Sequence, residues 1–341
     1  MKRRLPAEWE SQDGVLMAWP HEASDWRFYL RAVQTTFTEI IRHITRFEKC
    51  ILVAPDPADV RARLQKADIH MERLHIYKMD TNDTWARDFG PITILEEGKP
   101  VLLDFGFNGW GLKFPADLDN QITRRLHQLG GFHSTPLKTV GLVLEGGSIE
   151  SDGNGTILTT TECLTSPNRN PQLTRQEIQE ELGRLLGADH FLWLENGFLA
   201  GDDTDSHVDT LARLCPDDTI LHTACDDPSD MHFKALQAMT EELKRFRTRQ
   251  GRPYRLIPLP WPSPHLDDEG KRLPATYANF LVLNGAVLVP TYRDPKDGEA
   301  LNAVRKAFPD REIVGIDCSP LILQHGSLHC VTMQLPKGTL S

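Results

Sequence analysis

The stretch FLVLNGAVLVPTY (Phe280–Tyr292) contains two apolar runs on either side of a short Asn-Gly turn. This pattern predicts a β-hairpin, because Asn and Gly readily adopt the backbone conformations of a tight turn between antiparallel strands. Three further stretches repeat the arrangement: PITILEEGKPVLLDF (Pro91–Phe105), SIESDGNGTILTT (Ser148–Thr160) and LARLCPDDTILHT (Leu211–Thr223). The chain is therefore organised as a series of similar two-stranded units.

Helix-forming segments lie between these hairpins, and several of them open with Asp, Ser, Thr or Pro, which are typical of helix starts. The predicted helices cover residues 25–47, 115–129, 174–186, 228–247 and 299–308. Alternation of strands and helices along the whole chain predicts an α/β fold.

The two ends of the chain contain a further pair of strand-like runs. One is Leu328–Gln334 near the end of the chain, and the other is Gly14–Trp19 near its beginning. If they pair, they complete a fifth unit, and similar units of about 50 to 70 residues whose ends meet predict a pseudo-symmetric ring. No flexible linker interrupts the sequence, so we expect a single catalytic domain over residues 1–341.

The composition and net charge indicate which kind of molecule the protein binds. The 341 residues are 40% hydrophobic and 25% charged, as in ordinary globular proteins, and the formal net charge is −10. This sign disfavours nucleic acid and favours a cationic small molecule. The longest uncharged apolar stretch, Phe280–Pro290, is too short for a membrane helix, so no membrane association is expected.

The number and spacing of the cysteines indicate the cellular compartment of the protein. There are six in the chain, and none lies in a C-x-x-C pair. So few cysteines in a chain of this length do not suggest a disulfide scaffold, and no export signal is visible at the start. We therefore expect reduced thiols and a cytoplasmic location.

A polar residue precedes nearly every predicted hairpin. Asp88 precedes the first hairpin, Glu145 the second, His207 and Asp209 the third, and Cys330 lies on the closing strand. Each residue alone has a structural explanation, such as a turn carboxylate, a buried histidine or an inert thiol. Because one placement recurs in several units, these side chains are predicted to meet near the centre of the ring as a catalytic group.

Metal and cofactor chemistry find little support in the sequence. His207, Asp209 and Cys330 could supply the three ligands of a metallohydrolase, but no HExxH or CxxC spacing accompanies them. The acidic stretch GDDTDSHVD lacks the Gly and the terminal Glu of a calcium-binding loop. Neither a GxGxxG motif after a strand nor a P-loop is present, so no cofactor and no metal are expected.

Seven motifs together resemble the agmatine deiminases of the guanidino-group-modifying (pentein) superfamily. They are PAEWE (Pro6–Glu10), TNDTWARDFGP (Thr81–Pro91), LEGGSIESDG (Leu144–Gly153), PNRNP (Pro167–Pro171), GDDTDSHVD (Gly201–Asp209), LPATYANFL (Leu273–Leu281) and GSLHCVTMQ (Gly326–Gln334). The resemblance implies a pseudo-five-fold β/α-propeller of repeated ββαβ-type units around a central active site.

The resemblance also implies a reaction, which is hydrolytic deimination of agmatine to N-carbamoylputrescine and ammonia in putrescine (polyamine) biosynthesis. Cys330 would attack the guanidinium carbon and form a thiouronium intermediate, with His207 as the proton donor and base. Glu145 would hold His207 and a guanidinium nitrogen. Asp88 and Asp209 would bind the guanidinium, which needs a strong nucleophile because resonance makes it a poor electrophile. Trp85 would pack on the aliphatic chain of the substrate, although a plain core role explains it equally well, and Trp110 is a weaker candidate.

Other functions remain open at this point. A peptidylarginine deiminase shares the chemistry but needs an open site, whereas a non-catalytic binder of guanidino compounds would not need Cys330. The sequence departs from the agmatine-specific pattern at Gln324–Ser327, where related chains carry a run of glycines. Superfamily members are often dimers or larger, so a homo-oligomer is expected.

Overall fold

The computed structural model describes residues 2–341, which form five small β-sheets joined by helices. The strands are β1 (Arg3–Arg4), β2 (Gln12–Ala18), β3 (Lys49–Ala54), β4 (Leu74–Lys78), β5 (Ile92–Glu96), β6 (Lys99–Gly106), β7 (Leu137–Val143), β8 (Ile149–Ser151), β9 (Thr156–Thr160), β10 (His190–Leu194), β11 (Ala212–Cys215), β12 (Thr219–Thr223), β13 (Arg255–Leu259), β14 (Leu281–Val282), β15 (Ala286–Thr291), β16 (Glu312–Asp317) and β17 (Met333–Pro336). The helices are α1 (Leu30–Phe47), α2 (Pro57–Leu64), α3 (Ala86–Phe89), α4 (Gly109–Leu112), α5 (Ile122–Gln128), α6 (Thr161–Leu164), α7 (Arg175–Leu186), α8 (Phe233–Arg245) and α9 (Asp297–Ala307). The α/β prediction is confirmed.

One topological unit recurs in four of the sheets. Its first two strands form an antiparallel hairpin, and a helical connection then returns the chain to a third strand parallel to the second. In the sheet β14-β15-β16, Leu281 pairs with Leu288, and Ala286 pairs with Glu312 across the parallel ladder. All four predicted hairpins are present, as β5-β6, β8-β9, β11-β12 and β14-β15.

The fifth sheet joins the two ends of the chain. Strand β17 pairs antiparallel with β2, placing Met333 opposite Leu16. Strands β2, β3 and β4 then run parallel to one another. The predicted pairing between the terminal runs is confirmed, but the closing strand begins only at Met333, so Cys330 lies in the turn before the strand and not on it.

Helix α1 shows how the helices cover the sheets. Its apolar residues recur every three or four positions, so they form one face of the helix. That face is completely buried and contributes Val33, Phe37, Ile40, Ile41 and Ile44. The helix contacts β3 on one side and β15 and β16 on the other, so it fills the space between two sheets. Burial of each such side chain stabilises the fold by about 1.5 to 3 kcal/mol.

The helix predicted over residues 115–129 is wrong in its first half, since α5 begins only at Ile122 after a 3₁₀ turn over Asp119–Gln121. The side chains there bind other loops. Asp119 accepts a hydrogen bond of 2.7 Å from the backbone N–H of Asn82, and Asn120 accepts one of 2.9 Å from that of Phe107. Short polar side chains that bind remote backbone groups favour loops over helix. No helix of residues 2–341 has the length and apolarity to cross a membrane.

Candidate active site

The polar residues that precede the hairpins all occupy the same kind of position in the fold. Asp88 lies in α3 just before β5, Glu145 lies before β8, and Cys330 lies before β17. His207 and Asp209 lie before β11. Although four of these five side chains are ionisable acids or a histidine, all five are buried, which is unusual for such groups.

Gly147 marks the point where three of these side chains meet. A Cβ atom on Gly147 would lie 2.6 Å from Nδ1 of His207, 3.0 Å from Oδ1 of Asp88 and 3.1 Å from Oδ2 of Asp209. Real Cβ atoms essentially never approach a heavy atom as closely as 2.6 Å, so only glycine fits. The absence of a side chain on Gly147, in the segment before β8, lets side chains from the segments before β5 and β11 converge there.

Asp88 is held by two donors. Its Oδ1 accepts a hydrogen bond of 3.0 Å from the backbone N–H of Gly147, and its Oδ2 accepts one of 2.9 Å from Nε1 of Trp110. Burial raises the pKa of Asp88, and the negative charge of Asp209 adds to the effect, whereas His207 opposes it. Both oxygens are therefore oriented before any substrate binds.

Asp209 is oriented by a residue that the sequence interpretation did not assign. Nδ1 of His329 donates a hydrogen bond of 2.7 Å to Oδ2 of Asp209, while Oδ1 of Asp209 has no partner among the described residues. Burial opposes ionisation of this carboxyl, but the hydrogen bond and charge of His329 outweigh it and hold the pKa of Asp209 below its usual value. Asp209 thus offers one buried, unoccupied acceptor oxygen.

His207 lies beside Asp88 but makes no hydrogen bond. Its Nδ1 atom is 3.7 Å from Oδ1 of Asp88, and neither ring nitrogen has a partner among residues 2–341. A completely buried imidazole without partners requires an explanation, since buried polar atoms are normally paired. A ligand that supplies both donors and acceptors would satisfy it.

Glu145 is paired differently from the expected arrangement, in which it holds His207 and a substrate nitrogen. Both of its carboxylate oxygens accept from Nε of Arg169, at 2.9 and 3.0 Å. Nη1 of Arg169 in turn donates to Asp205 at 2.5 Å. Glu145 and His207 have ligand atoms within 4.8 Å of each other, but no hydrogen bond joins them. Arg169 therefore fixes the carboxylate of Glu145, in place of the expected His207.

Cys330 lines a pocket at the surface of the protein and is 6% exposed. Its Sγ atom lies 3.3 Å from Oδ1 of Asn279, the residue two positions before β14. Burial and the negative charges of Asp209 and Asp88 raise the pKa of the Cys330 thiol well above its usual value. The resting sulfur is therefore a neutral thiol.

The walls of this pocket combine aromatic and acidic side chains. Trp85, Trp110 and Phe114 form the aromatic part, and the acidic part consists of Asp25, Asp83, Asp88, Asp202 and Asp203. None of the residues 2–341 that line it is Lys or Arg. A cationic and partly apolar ligand fits such walls, because it gains both charge attraction and contact with aromatic faces.

Within the segment Gln324–Ser327, where the sequence departs from the resembling family, Gln324, His325 and Gly326 form one wall of the pocket. Nε2 of Gln324 donates to the carbonyl of Asp25 at 3.1 Å, and Nδ1 of His325 donates to the carbonyl of Gly201 at 2.7 Å. A Cβ on Gly326 would lie 2.1 Å from the ring of Trp85, so the backbone packs directly on that indole. Side chains thus tie this wall to two neighbouring loops.

Two sets of described side chains have metal-ligating atoms close together. They are Glu145, Cys163 and His207, and Glu8, Glu150 and His329. In each set a carboxylate is already paired with a buried arginine, Arg169 in the first and Arg213 in the second. A guanidinium charge at that position disfavours a metal cation, because the like charges repel.

Several site residues escaped prediction although they lie in the motifs that carry the resemblance. Asn279 lies in LPATYANFL, Arg169 in PNRNP, Gly147 in LEGGS and His329 in GSLHCVT. Their place in these motifs is the signal in the sequence that could have identified them as site residues. Their partners, however, lie far away in sequence, so no local pattern could indicate what each one binds.

A buried cysteine and Asp88 line an acidic pocket, and Asp209 and a histidine without partners lie buried beside Asp88. Such a group is typical of cysteine-dependent enzymes that act on cationic groups. Comparison with known proteins defines the family. Residues 4–336 match the Porphyromonas-type peptidyl-arginine deiminase family, and the chain belongs to that family.

Individual relatives are named either peptidyl-arginine deiminases or agmatine deiminases. A solved structure provisionally named a peptidyl-arginine deiminase is 50% identical, with a TM-score of 0.94 over 98% of this chain and 99% of its own. A substrate-bound agmatine deiminase variant from C. jejuni is 40% identical, with a TM-score of 0.91 over 98% and 97%. An agmatine deiminase from Pseudomonas aeruginosa is 34% identical over 98% of this chain and 95% of its own length.

Proposed function

We propose that this chain is an enzyme that hydrolyses agmatine to N-carbamoylputrescine and ammonia through a covalent Cys330 intermediate, and so serves putrescine formation. One observation carries the proposal. Cys330 lines a pocket with aromatic and aspartate walls and no arginine or lysine. Agmatine has a guanidinium at one end, an ammonium at the other and an apolar chain between them, which matches those walls. The agmatine deiminases among its relatives support the same substrate.

The guanidinium would bind where the site lacks hydrogen-bond partners. Oδ1 of Asp209 and both ring nitrogens of His207 are buried and unpartnered. Asp88, oriented by Trp110 and Gly147, supplies the second carboxylate. A planar guanidinium with five N–H donors satisfies two carboxylates, and these fix its plane against the sulfur of Cys330.

Substrate binding would also activate the nucleophile. In the resting site the charges of Asp209 and Asp88 keep the pKa of Cys330 high. A bound guanidinium neutralises those charges and places a positive centre beside the sulfur, so it stabilises the thiolate. The thiol proton passes to His207. The reactive thiolate therefore forms only when the substrate is present.

The first half of the reaction makes the covalent intermediate. Thiolate attack on the guanidinium carbon forms an S–C bond and a tetrahedral adduct. Protonated His207 gives its proton to the leaving nitrogen, the C–N bond breaks, and ammonia departs. Cys330 then carries a thiouronium group, and His207 is again neutral.

The second half releases the product. Neutral His207 removes a proton from a water molecule, which attacks the same carbon. The second tetrahedral adduct collapses to the ureido product with cleavage of the S–C bond and loss of its hydroxyl proton. Protonated His207 returns its proton to Cys330, and the released ammonia takes up the hydroxyl proton. Glu145, fixed by Arg169, places its carboxylate within 4.8 Å of His207.

The acidic side chains of the pocket walls would make the enzyme select agmatine over free arginine. Arginine differs from agmatine by an α-carboxylate, and a carboxylate in this pocket would face Asp25, Asp83, Asp202 and Asp203 without a cation to pair with. Agmatine would place only methylene groups and an ammonium in the same region of the pocket.

Peptidyl-arginine is the second candidate substrate. The pocket adjoins a second cavity that shares Asp25, Asp83, Trp110 and Phe114 with it, and this cavity offers room for an attached chain. The peptidyl-arginine name of the matching family favours the same candidate. A peptide carries no α-carboxylate at an internal arginine, so the acidic walls do not exclude it.

The arrangement of the chain forms part of the proposal. We infer one catalytic domain over residues 1–341, in which the five sheets are blades of a pseudo-five-fold β/α-propeller around the site. In support, each sheet has a site residue just before one of its strands: Asp88 before β5, Glu145 before β8, Asp209 before β11, Asn279 before β14 and Cys330 before β17. All six cysteines are free, which suits a reducing cytoplasm. Light scattering would test the expected homo-oligomer.

Ammonia release from agmatine, free arginine and a peptidyl-arginine, each with the wild type and Cys330→Ala, tests the function. We expect release from agmatine alone and none from the variant. Release from the peptide would favour the second candidate. Activity that survives in Cys330→Ala would overturn the thiolate mechanism, and activity lost with a chelator would point to metal-dependent hydrolysis. Binding without release would identify a non-catalytic binder.

A further inference from the structure

A chain of three buried side chains connects the N-terminal PAEWE motif to the site. His329 immediately precedes Cys330, and its two ring nitrogens contact different carboxylates. Nδ1 donates to Oδ2 of Asp209 at 2.7 Å, and Nε2 donates to Oε2 of Glu8 at 2.8 Å. The side chains of His329 and Asp209 are 1% and 0% exposed, and that of Glu8 is 8% exposed.

The surrounding charges define the direction of these bonds. Because carboxylates only accept hydrogen bonds, Nδ1 of His329 is the donor to Asp209 and Nε2 is the donor to Glu8, and Nη2 of Arg213 lies 3.1 Å from Nε2. Nη2 of Arg213 also donates to Oε2 of Glu8, at 2.7 Å. Burial alone would raise the pKa of Glu8, but the charges of His329 and Arg213 outweigh it and lower that pKa strongly. Glu8 therefore remains a carboxylate that anchors the imidazole.

His329 is not needed to hold the backbone of the nucleophile. The backbone N–H of His329 already donates to Oδ1 of Asn279 at 2.9 Å, and that of Cys330 donates to the same atom at 3.3 Å. Arg213 likewise has other acceptors, including Glu150 and the carbonyls of Ala278 and Phe280. The specific contribution of the imidazole is thus its contact with Asp209.

We propose that His329 and Glu8 are positioning residues for the substrate-binding carboxylate of Asp209. The imidazole occupies Oδ2 and thereby fixes the rotation of the carboxylate, which leaves Oδ1 as the acceptor for the guanidinium. Glu8 fixes the imidazole from its other side. This inference rests on the proposed function, because it assigns Oδ1 of Asp209 to the same guanidinium.

Two substitutions of His329 distinguish a role in positioning Asp209 from a role in packing alone. In His329→Asn the side-chain amide takes the place of Nδ1 and still donates to Asp209. In His329→Gln the amide reaches the place of Nε2, so it contacts Glu8 and leaves Asp209 without a donor. Both remove the ring, so a role in packing alone predicts similar effects for both.

The measurement is calorimetric binding of agmatine to Cys330→Ala protein that carries each second substitution. We expect His329→Asn to keep the dissociation constant within about threefold and His329→Gln to raise it about tenfold or more. Glu8→Gln should raise it by about threefold to tenfold, and this effect should vanish when Asp209→Asn is also present, because both act on one contact. Equal effects of His329→Asn and His329→Gln, or full additivity of Glu8→Gln with Asp209→Asn, would overturn the proposal.

Glu10→Gln is the matched control. Glu10 lies in the same motif, but its carboxylate pairs with Arg4 at the surface, so its substitution should leave binding unchanged. If Cys330→Ala binds no agmatine, the proposed function fails, and the arrangement itself is tested without substrate. Nitrogen-15 NMR of labelled histidine should then show protons on both ring nitrogens of His329 at pH 7, with the Nε2 signal changed by Glu8→Gln. A single protonated nitrogen would refute the arrangement.

Discussion

Nε1 of Trp110 donates a hydrogen bond of 2.9 Å to Oδ2 of Asp88, from a backbone position with a φ of 55°. A non-glycine residue in this left-handed region costs about 1 kcal/mol or more relative to ordinary conformations. The ring also packs edge-on against Phe107, with centroids 5.0 Å apart. The fold therefore holds Trp110 in a strained conformation that directs its indole at a proposed substrate-binding carboxylate.

Replacing Trp110 with Phe removes this donor and keeps an aromatic ring in the same place. We expect kcat/KM for agmatine to fall about tenfold, since the hydrogen bond is to a buried charged group. The midpoint of thermal unfolding should change little. Trp193→Phe is the control, because its indole donates to Gln179 at 2.9 Å on α7 and away from the pocket. Equal activities of the two variants would refute a role for the Trp110 donor.

Gly147→Ala introduces one methyl group at the point where His207, Asp88 and Asp209 meet. The new Cβ would lie 2.6 Å from Nδ1 of His207, so the imidazole must move. Displacement of a catalytic group by a fraction of an ångström to 1 Å costs on the order of 100-fold in rate, and we expect that loss in kcat. Gly141→Ala is the control, because a Cβ there has nothing within 4 Å. Wild-type kcat in Gly147→Ala would show that His207 need not occupy this position.

The local parts of the fold were predictable from the sequence. A hairpin such as β14-β15 depends on apolar runs and an Asn-Gly turn that adjoin each other in the chain, so a short stretch contains the whole signal. The positions of Asp88 and Glu145 followed because each precedes a strand, whereas Cys330, expected on the closing strand, lies just before it. The helix over residues 115–129 was partly wrong, because Asp119 and Asn120 bind remote backbone groups that no local pattern reveals.

The supporting contacts of the site were not predictable for the same reason. His329 binds Asp209 across 120 residues of sequence and Glu8 across 321. The pairing of Glu145 with Arg169, where the sequence interpretation expected His207, depends on how a loop folds back over the site. Residue type indicated which groups could do chemistry, and only the three-dimensional structure shows which partners orient them.

The high resting pKa of Cys330 predicts its reactivity. Because the thiol is neutral without substrate, alkylation by iodoacetamide should be slow at pH 7 and should accelerate about tenfold per pH unit up to pH 9. Asp209→Asn removes one of the charges that raise the pKa, so it should increase the rate at pH 7. The measurement is loss of activity against time, with mass spectrometry to locate the label. A rate that is already maximal at pH 7 would mean that the resting sulfur is a thiolate.

The acidic wall predicts a pH dependence of substrate affinity. Burial raises the pKa of Asp83, which lines the pocket, to about 6. Above this pH the carboxylate is charged and attracts the ammonium of agmatine, and below it the attraction is lost. KM for agmatine should therefore rise about threefold as the pH falls through 6, whereas KM for butylguanidine, which has no ammonium, should not.

Asp83→Asn tests the assignment of this ionisation. An asparagine keeps the side-chain oxygen that accepts from Nε1 of Trp26 at 2.9 Å, so the wall stays in place. The variant should show a high KM for agmatine with no step near pH 6. Asp310→Asn, at an exposed position, should behave as the wild type. A step that persists in Asp83→Asn would assign the ionisation to another group.

Glu48 predicts how stability depends on pH. Burial raises its pKa to about 7, although the backbone N–H of Asn284 donates to Oε2 at 2.9 Å, and Oε1 has no partner among the described residues. Because this pKa is raised above that of the unfolded chain, the native state binds the extra proton, and stability falls as the pH rises from about 4.5 to about 7.

Glu48→Gln keeps an acceptor for Asn284 and removes the charge. Its melting temperature should equal that of the wild type at pH 5 and exceed it by about 2 °C at pH 8. Glu22→Gln, at an exposed position, should show no such difference, and a Glu48→Gln variant that is less stable than the wild type at pH 8 would show that the charged carboxylate is satisfied in the native fold.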